Sequence, residues 1–394
     1  MWTSILKAPF WTLYGLLVFI LYKDLHASAF QIALFLALKP IVSIFSVYWS
    51  SFVNNRQDRL VSNIVVAAIL GHLPFFFFPF VDNVWFFIFA GALYMLLTRG
   101  VVPAWMEILK INTPPLVREK VFSYSAAMSY VGGAILPLFI GNLFDTHPGI
   151  WRWFFPATSL FSLSSLFFLL RIPTSNFKPS SPSPFSFREQ IIQPWKNALV
   201  LFSKHNDFRQ FQIGFLFAGS GLMLMQPALP QFFFDSLHIS YAELTIALAV
   251  CKSVGFIITT KFWADLMTRI NIFKFSAYVT FACVLFPMLL LLAQVNLTWL
   301  YLSYLTYGIM QAGSELSWHL SGPIFAKNED SSPFSSVNVV TVGLRGCIAP
   351  FVGSFLCNQM SASYVLVVGS LFCLYAMMHM LYHRDCFELS SQSA

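Results

Sequence analysis

Continuous apolar runs, separated by short polar connections, fill most of this chain of 394 residues. An α-helix of about 20 apolar residues crosses the roughly 30 Å hydrocarbon layer of a bilayer, and runs near that length recur along the sequence. A transmembrane β-barrel would instead show alternating positions in shorter segments. The pattern therefore predicts twelve transmembrane helices and no large soluble domain, with spans at roughly 9–22, 29–53, 61–80, 84–108, 121–144, 151–171, 209–234, 240–264, 272–294, 297–325, 334–357 and 361–383.

The composition indicates the same class, an all-α membrane protein. Hydrophobic residues make up 57% of the sequence and charged residues 10%, with a mean hydropathy of +0.70. In a typical soluble domain about a quarter of the residues are charged. The six cysteines all lie in the second half and lack CxxC spacing, so we expect no disulfide framework, no metal site and no cofactor.

Membrane topology, rather than nucleic-acid binding, explains the net charge of +7. If the N-terminus lies inside, the cytoplasmic segments contain 16 of the 23 lysines and arginines, whereas the outside loops contain only Lys23 and Arg152. Such an asymmetry orients membrane helices with the basic side in the cytoplasm. We therefore expect both termini in the cytoplasm, and a chain in the plasma membrane or in the inner membrane of a Gram-negative bacterium.

The N-terminal segment admits a second interpretation. Lys7, the apolar run 9–22 and Ala27-Ser28-Ala29 resemble the three parts of a cleavable signal peptide. Cleavage would leave eleven spans and would destroy the pairing of two six-span halves. We therefore expect the segment to be retained as the first span.

A proline- and serine-rich stretch, PTSNFKPSSPSPFSFREQ at 173–190, separates the first six spans from the last six. This composition is typical of a flexible linker. The segment that follows, IIQPWKNALVLFSKH, is either an amphipathic helix on the cytoplasmic surface or a solvated connector. We predict a first bundle at 1–171, a cytoplasmic linker at 172–208 and a second bundle at 209–394.

The two halves resemble each other at a fixed shift of 213 residues. The alignment of the two halves at this shift needs no gap from the fourth to the fifth span. Internal repeats of this kind indicate a duplicated architecture. The matched pairs are Tyr94 with Tyr307, Trp105 with Trp318, Gly133 with Gly346, Pro137 with Pro350 and Lys39 with Lys252.

Two parallel six-helix repeats joined by a long cytoplasmic loop resemble a transporter of the major facilitator superfamily. Between spans two and three that family has G-x-x-x-D-R-x-G-R-R, and this chain has SSFVNNRQDR, in which Arg59 matches and Asn54 replaces the family's Asp. The second copy, KFWADLMTRI, keeps Asp265 and Arg269. The resemblance implies that these four residues help to gate the cytoplasmic side, and that the two bundles surround a central cavity.

Charged side chains occur in the interiors of several predicted spans, where hydrocarbon does not solvate them. A Lys or Arg at the bilayer centre costs about 2.5 to 3.5 kcal/mol, so such residues face protein or water. Spans three, six, nine and twelve, which the resemblance places at the lipid-facing outside, have no charged residue in their interiors. The charged positions are Lys39, Arg99, Lys252, Glu315 and Arg345.

Four cations and one carboxylate leave an excess of three positive charges even if internal pairs form. Arg offers a bidentate fork to a carboxylate or phosphate, and Lys offers a point charge. We therefore predict a site for a small organic anion that also includes Gln226 and Gln311, which lie on polar seams of their helices. In the alternative interpretation the seams only join helices and the charges form internal salt bridges.

Glu315 and His319 lie one helical turn apart, so their side chains share a face of span ten. A carboxylate in a cavity can titrate near neutral pH, and the two residues could therefore relay a coupling proton. In the alternative interpretation Glu315 pairs with Arg345 and His319 is an ordinary polar residue.

These observations favour a monomeric secondary transporter, a symporter that moves an organic anion across the bilayer. An efflux transporter for drugs or lipophilic solutes is the alternative, because the chain is rich in Phe. Trp318-His319 resembles the lone intramembrane histidine of membrane-bound acyltransferases, but no second catalytic group is spaced to assist it. We therefore predict no enzymatic activity.

Cysteine labelling tests the predicted topology. Single cysteines placed at Asn83, Asn296 and Gln359 are expected to react with a membrane-impermeant reagent from outside, because they lie in outside loops. Cysteines at Asn55, Ser181 and Ser390 should react only from inside. An odd number of spans, or an external C-terminus, would contradict the duplicated plan.

Overall fold

The computed structural model describes residues 2–54, 60–101, 104–105, 108, 112, 115–172, 193–326 and 332–392. Nearly all of this part of the chain is helical, and it contains no strand. Arg59 and the linker stretch 173–190 lie outside the described residues. By packing, the chain divides into a first unit, Met1–Ser186 with Ser240–Thr245, and a second unit, Phe187–Ile239 with Ile246–Ala394.

Helices α1 to α6 belong to the first unit. Their apolar character follows from the runs in the sequence, and in the absence of water each helix satisfies its own backbone hydrogen bonds. Their bounds are α1 Trp2–Lys23, α2 Ala29–Asn54, α3 Leu60–His72, α4 Val84–Gly100, α5 Pro115–Thr146 and α6 Trp151–Ser164, the last followed by a short turn at Leu166–Leu169.

The second unit contains α7, a helix within the predicted linker, and the helices that follow it, apart from the first residues of α9, Tyr241–Thr245, which belong to the first unit. Each of the twelve predicted spans overlaps at least one helical segment of the structure. The bounds are α7 Gln193–Lys204, α8 Asn206–Met225, α9 Tyr241–Met267, α10 Ile272–Leu292, α11 Thr298–Ala326, α12 Ser332–Gln359 and α13 Ala362–Gln392.

Seven helices within the described residues are long and apolar enough to cross a membrane. The number is eight if Asn206–Met225 and Ala228–Ser236, which meet at a 43° bend, form one span. Pro227 stands at this bend, and proline removes a helical hydrogen bond and kinks the chain.

The sequence predicted a single helix for the third span, but the structure shows two types of helix there. After His72 it continues as a 3₁₀-helix, Leu73–Phe80, with the sequence LPFFFFPF. Pro74 and Pro79 have no amide hydrogen to donate to the preceding turn, which explains why the regular α-helical bonding ends here.

Phenylalanines form the core of the first unit. Phe10, Phe75, Phe78, Phe87 and Phe155 are fully buried. Their rings meet at centroid distances of 4.9 Å for Phe10 and Phe75, 4.5 Å for Phe78 and Phe87, and 4.7 Å for Phe78 and Phe155. Aromatic pairs at such distances add packing energy beyond their buried area. These rings are therefore engaged in packing α1, α4, α6 and the 3₁₀-helix together.

A chain of polar side chains joins three helices of the second unit. Gln212 on α8 donates a hydrogen bond to the side-chain oxygen of Asn338 on α12. The Asn338 amide in turn donates to the Ser321 hydroxyl at 2.9 Å and to the Trp318 carbonyl at 3.3 Å. These polar groups serve helix association, as small polar residues often do in membranes.

The linker segment after 190 is helical rather than a solvated connector. Leu201 of α7 is buried in a core cluster with Phe208 and Phe334 of the second unit. The apolar face of this short helix thus packs on the bundle that follows it.

Two glycines bring α9 and α11 into backbone contact. A Cβ atom at Gly308 would overlap the carbonyl of Lys252, and one at Gly255 would overlap the carbonyl of Leu305. Helices in membranes associate through such close contacts, because hydrocarbon provides no hydrophobic force between them. The crossing of α9 and α11 therefore depends on the absence of side chains at these two positions.

Substitution of Gly308 by Ala tests this contact. We expect Gly308→Ala to destabilise the detergent-purified protein by about 1–3 kcal/mol, because the new methyl group displaces backbone rather than a flexible side chain. Gly15→Ala is the matched control, since no atom lies within 4 Å of its Cβ position in α1. Equal thermal unfolding midpoints for the two variants would contradict the tight crossing.

Candidate functional site

Lys252 lies at a break in the regular hydrogen bonding of α9. The residues before it, Ile246–Cys251, form a π-helical turn. Such turns insert one residue into a helix and occur frequently at functional sites. The Lys252 side chain is partly buried, and its Nζ atom lies 5.1 Å from the centroid of the Tyr307 ring on α11. This geometry is a cation–π contact, which stabilises an ammonium group away from bulk water.

The α11 surface next to Lys252 carries four residues at helical spacing. Tyr307, Gln311, Glu315 and His319 follow one another at intervals of four residues and so lie along one side of the helix. The Glu315 carboxylate interacts electrostatically with Lys252 and with His319. The buried Oε1 atom of Gln311 accepts no hydrogen bond within the described part of the chain. Here a cation, a carboxylate and an amide oxygen with unused bonding capacity occur close together.

The Lys252–Glu315 arrangement can exchange one counter-charge for another. With Glu315 ionised, the carboxylate compensates the ammonium group. An anionic solute could supply the same counter-charge, so the surroundings of Lys252 are chemically suited to an anion. The sequence alternative that paired Glu315 with Arg345 is not the arrangement in the structure.

Arg345 lies at a second place in the same unit, on α12. Its Nη1 atom donates to the Phe215 carbonyl at 2.6 Å, and the guanidinium carbon lies 4.5 Å from the centroid of the Phe215 ring. A Cβ atom at Gly219 would overlap the guanidinium group. The glycine on α8 therefore makes the space that Arg345 occupies.

Arg99 belongs to the first unit, near the end of α4. It is partly buried, its Nε atom has no hydrogen-bond partner within the described residues, and it interacts electrostatically with Tyr94. Lys39 on α2 is exposed, and it does have an interaction partner. The structure therefore presents two cations in the first unit with different degrees of burial.

The remaining predicted site residues have simpler surroundings. Gln226 is partly buried at the bend that follows α8, and His319 is exposed. Of the predicted gating residues, Asp265 and Arg269 are exposed at the end of α9, while Asn54 closes α2 and its side chain lies outside the described part of the structure. Nothing in the described residues joins Asp265 and Arg269 in an ion pair.

A cluster in the first unit was not identified from the sequence. The Asp145 carboxylate accepts hydrogen bonds from the backbone N–H groups of Tyr241 and Ala242, both at 2.9 Å, and lies 3.9 Å from Lys23 Nζ. The Tyr241 hydroxyl donates to Asp24 at 3.0 Å. Burial raises the pKa of the Asp24 carboxyl.

This cluster escaped the sequence analysis because its charges lie at span ends and in short loops. The sequence analysis considered only charges in span interiors and therefore did not include these residues. Capping of a helix N-terminus by a carboxylate is favourable, since the first amide groups of a helix have no partner within the helix. Asp145 thereby fixes the beginning of α9 within the first unit.

Comparisons with known proteins identify the fold. The chain is similar to solved transporters at 10–14% identity. A POT family transporter bound to 5-aminolevulinic acid has 10% identity and a TM-score of 0.77, with coverage of 98% of this chain and 95% of that one. The nucleoside transporter NupG, as a mutant, has 12% identity and a TM-score of 0.73, with coverage of 97% and 98%. A peptide transporter POT mutant bound to alafosfalin has 14% identity and a TM-score of 0.72, with coverage of 97% and 92%.

The sequence itself carries a family signal. No curated protein matches it significantly. The family model described as Major Facilitator Superfamily matches residues 3–326. This match extends over most of the chain, and the solved transporters share its fold over nearly its whole length. The protein is a multi-pass membrane transporter rather than an enzyme, and the chain belongs to the major facilitator superfamily.

Proposed function

We propose that this transporter moves a small organic anion, a carboxylate or a phosphate ester, by alternating access and together with a proton. The observation that carries the proposal is the electrostatic interaction of Lys252 on α9 with Glu315 on α11, beside a π-helical turn and the Tyr307 ring. A cation in the interior of a membrane protein is costly unless it has a counter-charge. An anionic solute can supply that charge when Glu315 is protonated.

The order of events follows from charge balance. Protonation of Glu315 releases Lys252 from its internal partner, and the solute anion then binds the ammonium group. The site that reorients therefore carries one proton and one anion, with no net change of its charge. On the inner side, loss of the proton restores the internal pair and displaces the solute. This sequence describes symport, and it uses His319 as the exchange partner for the Glu315 proton.

Other residues contribute to the proposed site. Gln226 and Gln311 would supply hydrogen bonds to the solute, and Lys39 and Arg99 stay predicted solute-binding cations. Arg345, by contrast, lines a separate cavity of the second unit. Asp265 and Arg269, with Asn54 and Arg59, would gate the cytoplasmic side. The protein would act as a monomer in the plasma membrane or bacterial inner membrane, with both termini in the cytoplasm.

The ligands bound in the similar solved transporters are compatible with this proposal but belong to those proteins. They include 5-aminolevulinic acid and a peptide derivative. Export of lipophilic solutes is less well supported, because the fully buried phenylalanines of the first unit pack against one another.

Neutralisation of Lys252 tests anion binding. Lys252→Gln should weaken the stabilisation of the purified protein by candidate carboxylates and phosphate esters about 10- to 100-fold in apparent affinity, because a hydrogen bond to a charged group contributes about 1.5–3 kcal/mol. Thermal unfolding with increasing anion concentration provides the measurement. Lys261→Gln is the matched control, an exposed lysine on the same helix.

The Lys252→Gln/Glu315→Gln double variant distinguishes binding from a structural ion pair. If the pair only supports the fold, each single change strands a charge and the double variant regains stability. Unimpaired anion affinity in Lys252→Gln, together with such rescue, would contradict the proposed site.

Coupling is tested separately with Glu315→Gln in proteoliposomes. The variant should lose uphill uptake driven by a pH gradient, because its amide cannot release a proton. Counterflow exchange should remain measurable, since it requires binding and reorientation but no net proton movement. A pH-driven uptake rate equal to that of the unmodified protein would remove Glu315 from the mechanism.

A further inference from the structure

Arg345 lines a partly open cavity between helices of the second unit. Its volume is about 60 Å³. Helices α8, α10, α11, α12 and α13 all contribute to its wall, so it lies inside the bundle. Neither Lys252 nor Tyr307 nor Glu315 lines it. The cavity is therefore distinct from the candidate solute site. Its polar lining consists of Arg345, Ser276, Thr280, Ser314, Ser317 and Cys283.

The guanidinium group of Arg345 has little compensation for its charge. One N–H group donates to the Phe215 carbonyl, and the Phe215 ring lies beside it. The buried Nε–H group has no acceptor, and no carboxylate within the described residues pairs with the side chain. Its electrostatic neighbours are the thiols of Cys283 and Cys373. A buried guanidinium without a counter-ion is unfavourable, since the Arg side chain cannot lose its proton in a protein.

Some hydroxyl groups in the cavity wall have a hydrogen that is not donated to any acceptor in the described part of the chain. The Thr280 hydroxyl donates a hydrogen bond to the Ser276 carbonyl at 2.7 Å, so its hydrogen is not available to a ligand. Ser276 and Ser317 share one hydrogen bond at 3.2 Å, which leaves one of their two hydrogens available. Ser314 makes no hydrogen bond within the described part of the chain. Arg345 therefore shares the cavity with two hydroxyl donors that lack an acceptor.

The size of the cavity limits what could accept these bonds. About 10–15 Å³ of such volume suffices for one water molecule. A cavity of about 60 Å³ therefore accommodates a halide ion with a few water molecules.

We propose that this cavity is a binding site for a small monovalent anion of the size of chloride or bromide, which neutralises Arg345 and stabilises the second unit independently of the transported solute. Arg345 contributes the charge and the Nε–H donor. Ser314 and the Ser276–Ser317 pair complete the coordination. The site is structural, so its occupant remains bound while solute is exchanged elsewhere.

The test measures thermal unfolding of the full-length protein in detergent as sodium bromide replaces sodium gluconate at constant ionic strength. The unfolding temperature should rise by at least about 3 °C across a hundredfold range of bromide, as expected for a ligand that binds only the folded state. Arg345→Gln should lose this response and should be at least as stable as the unmodified protein in gluconate, because it removes an uncompensated charge.

Two further variants make the result specific. Ser314→Ala retains the charge and should weaken the bromide response about three- to tenfold in apparent affinity, through loss of one donor. Lys252→Gln should retain the full response, because Lys252 does not line the cavity. Anomalous scattering from crystals grown in bromide should then show a peak beside Arg345.

The following results would overturn the proposal. Equal unfolding temperatures in bromide and gluconate would mean that no small anion binds. An unchanged response in Arg345→Gln would place the anion elsewhere, and loss of the response in Lys252→Gln would assign it to the solute site. None of these measurements involves transport, so failure here leaves the proposed function intact.

Discussion

The cost of placing charge in a hydrocarbon layer is the constraint on which this structure depends. Every cation within a span needs a partner that the protein, water or a ligand supplies. Lys252 has a carboxylate and an aromatic ring on the facing helix, whereas Arg345 has one carbonyl and one ring. The different compensation of these two cations leads to the two different roles proposed for them.

Glycine determines where both cations can be. Gly255 and Gly308 allow α9 and α11 to touch through their backbones, which holds Lys252 against the α11 surface. Gly219 leaves the volume that the Arg345 guanidinium fills. In a soluble protein an ordinary hydrophobic interface would bring helices together, but in a membrane close packing and polar contacts must do so. The positions of charge and of small residues are therefore linked.

The helical spans could be predicted from the sequence because apolar length is set by bilayer thickness, and each predicted span overlaps a helical segment. The 3₁₀-helix at Leu73–Phe80 was not predicted, although its prolines were visible, because an apolar run alone does not distinguish helix types. The π-helical turn before Lys252 has no sequence signature comparable to proline. For the site, the sequence identified charged residues but not their neighbours, since those depend on helix packing. It therefore grouped Arg345 with Lys252, and it missed the Asp145 cap on Tyr241.

The different environments of Lys252 and Arg345 also suit their proposed tasks. A transport site must release what it binds, and in the proposed site Glu315, which interacts with Lys252, would compete with the solute. Arg345 has no such competitor within the described residues, so an anion that enters its cavity would be displaced only at the cost of exposing an uncompensated guanidinium. Reversible exchange requires a nearby group that can take over the charge balance, and permanent neutralisation requires that there be none. In the two proposals, the presence or absence of a nearby carboxylate is thus the physical difference between the transport site and the structural ion site.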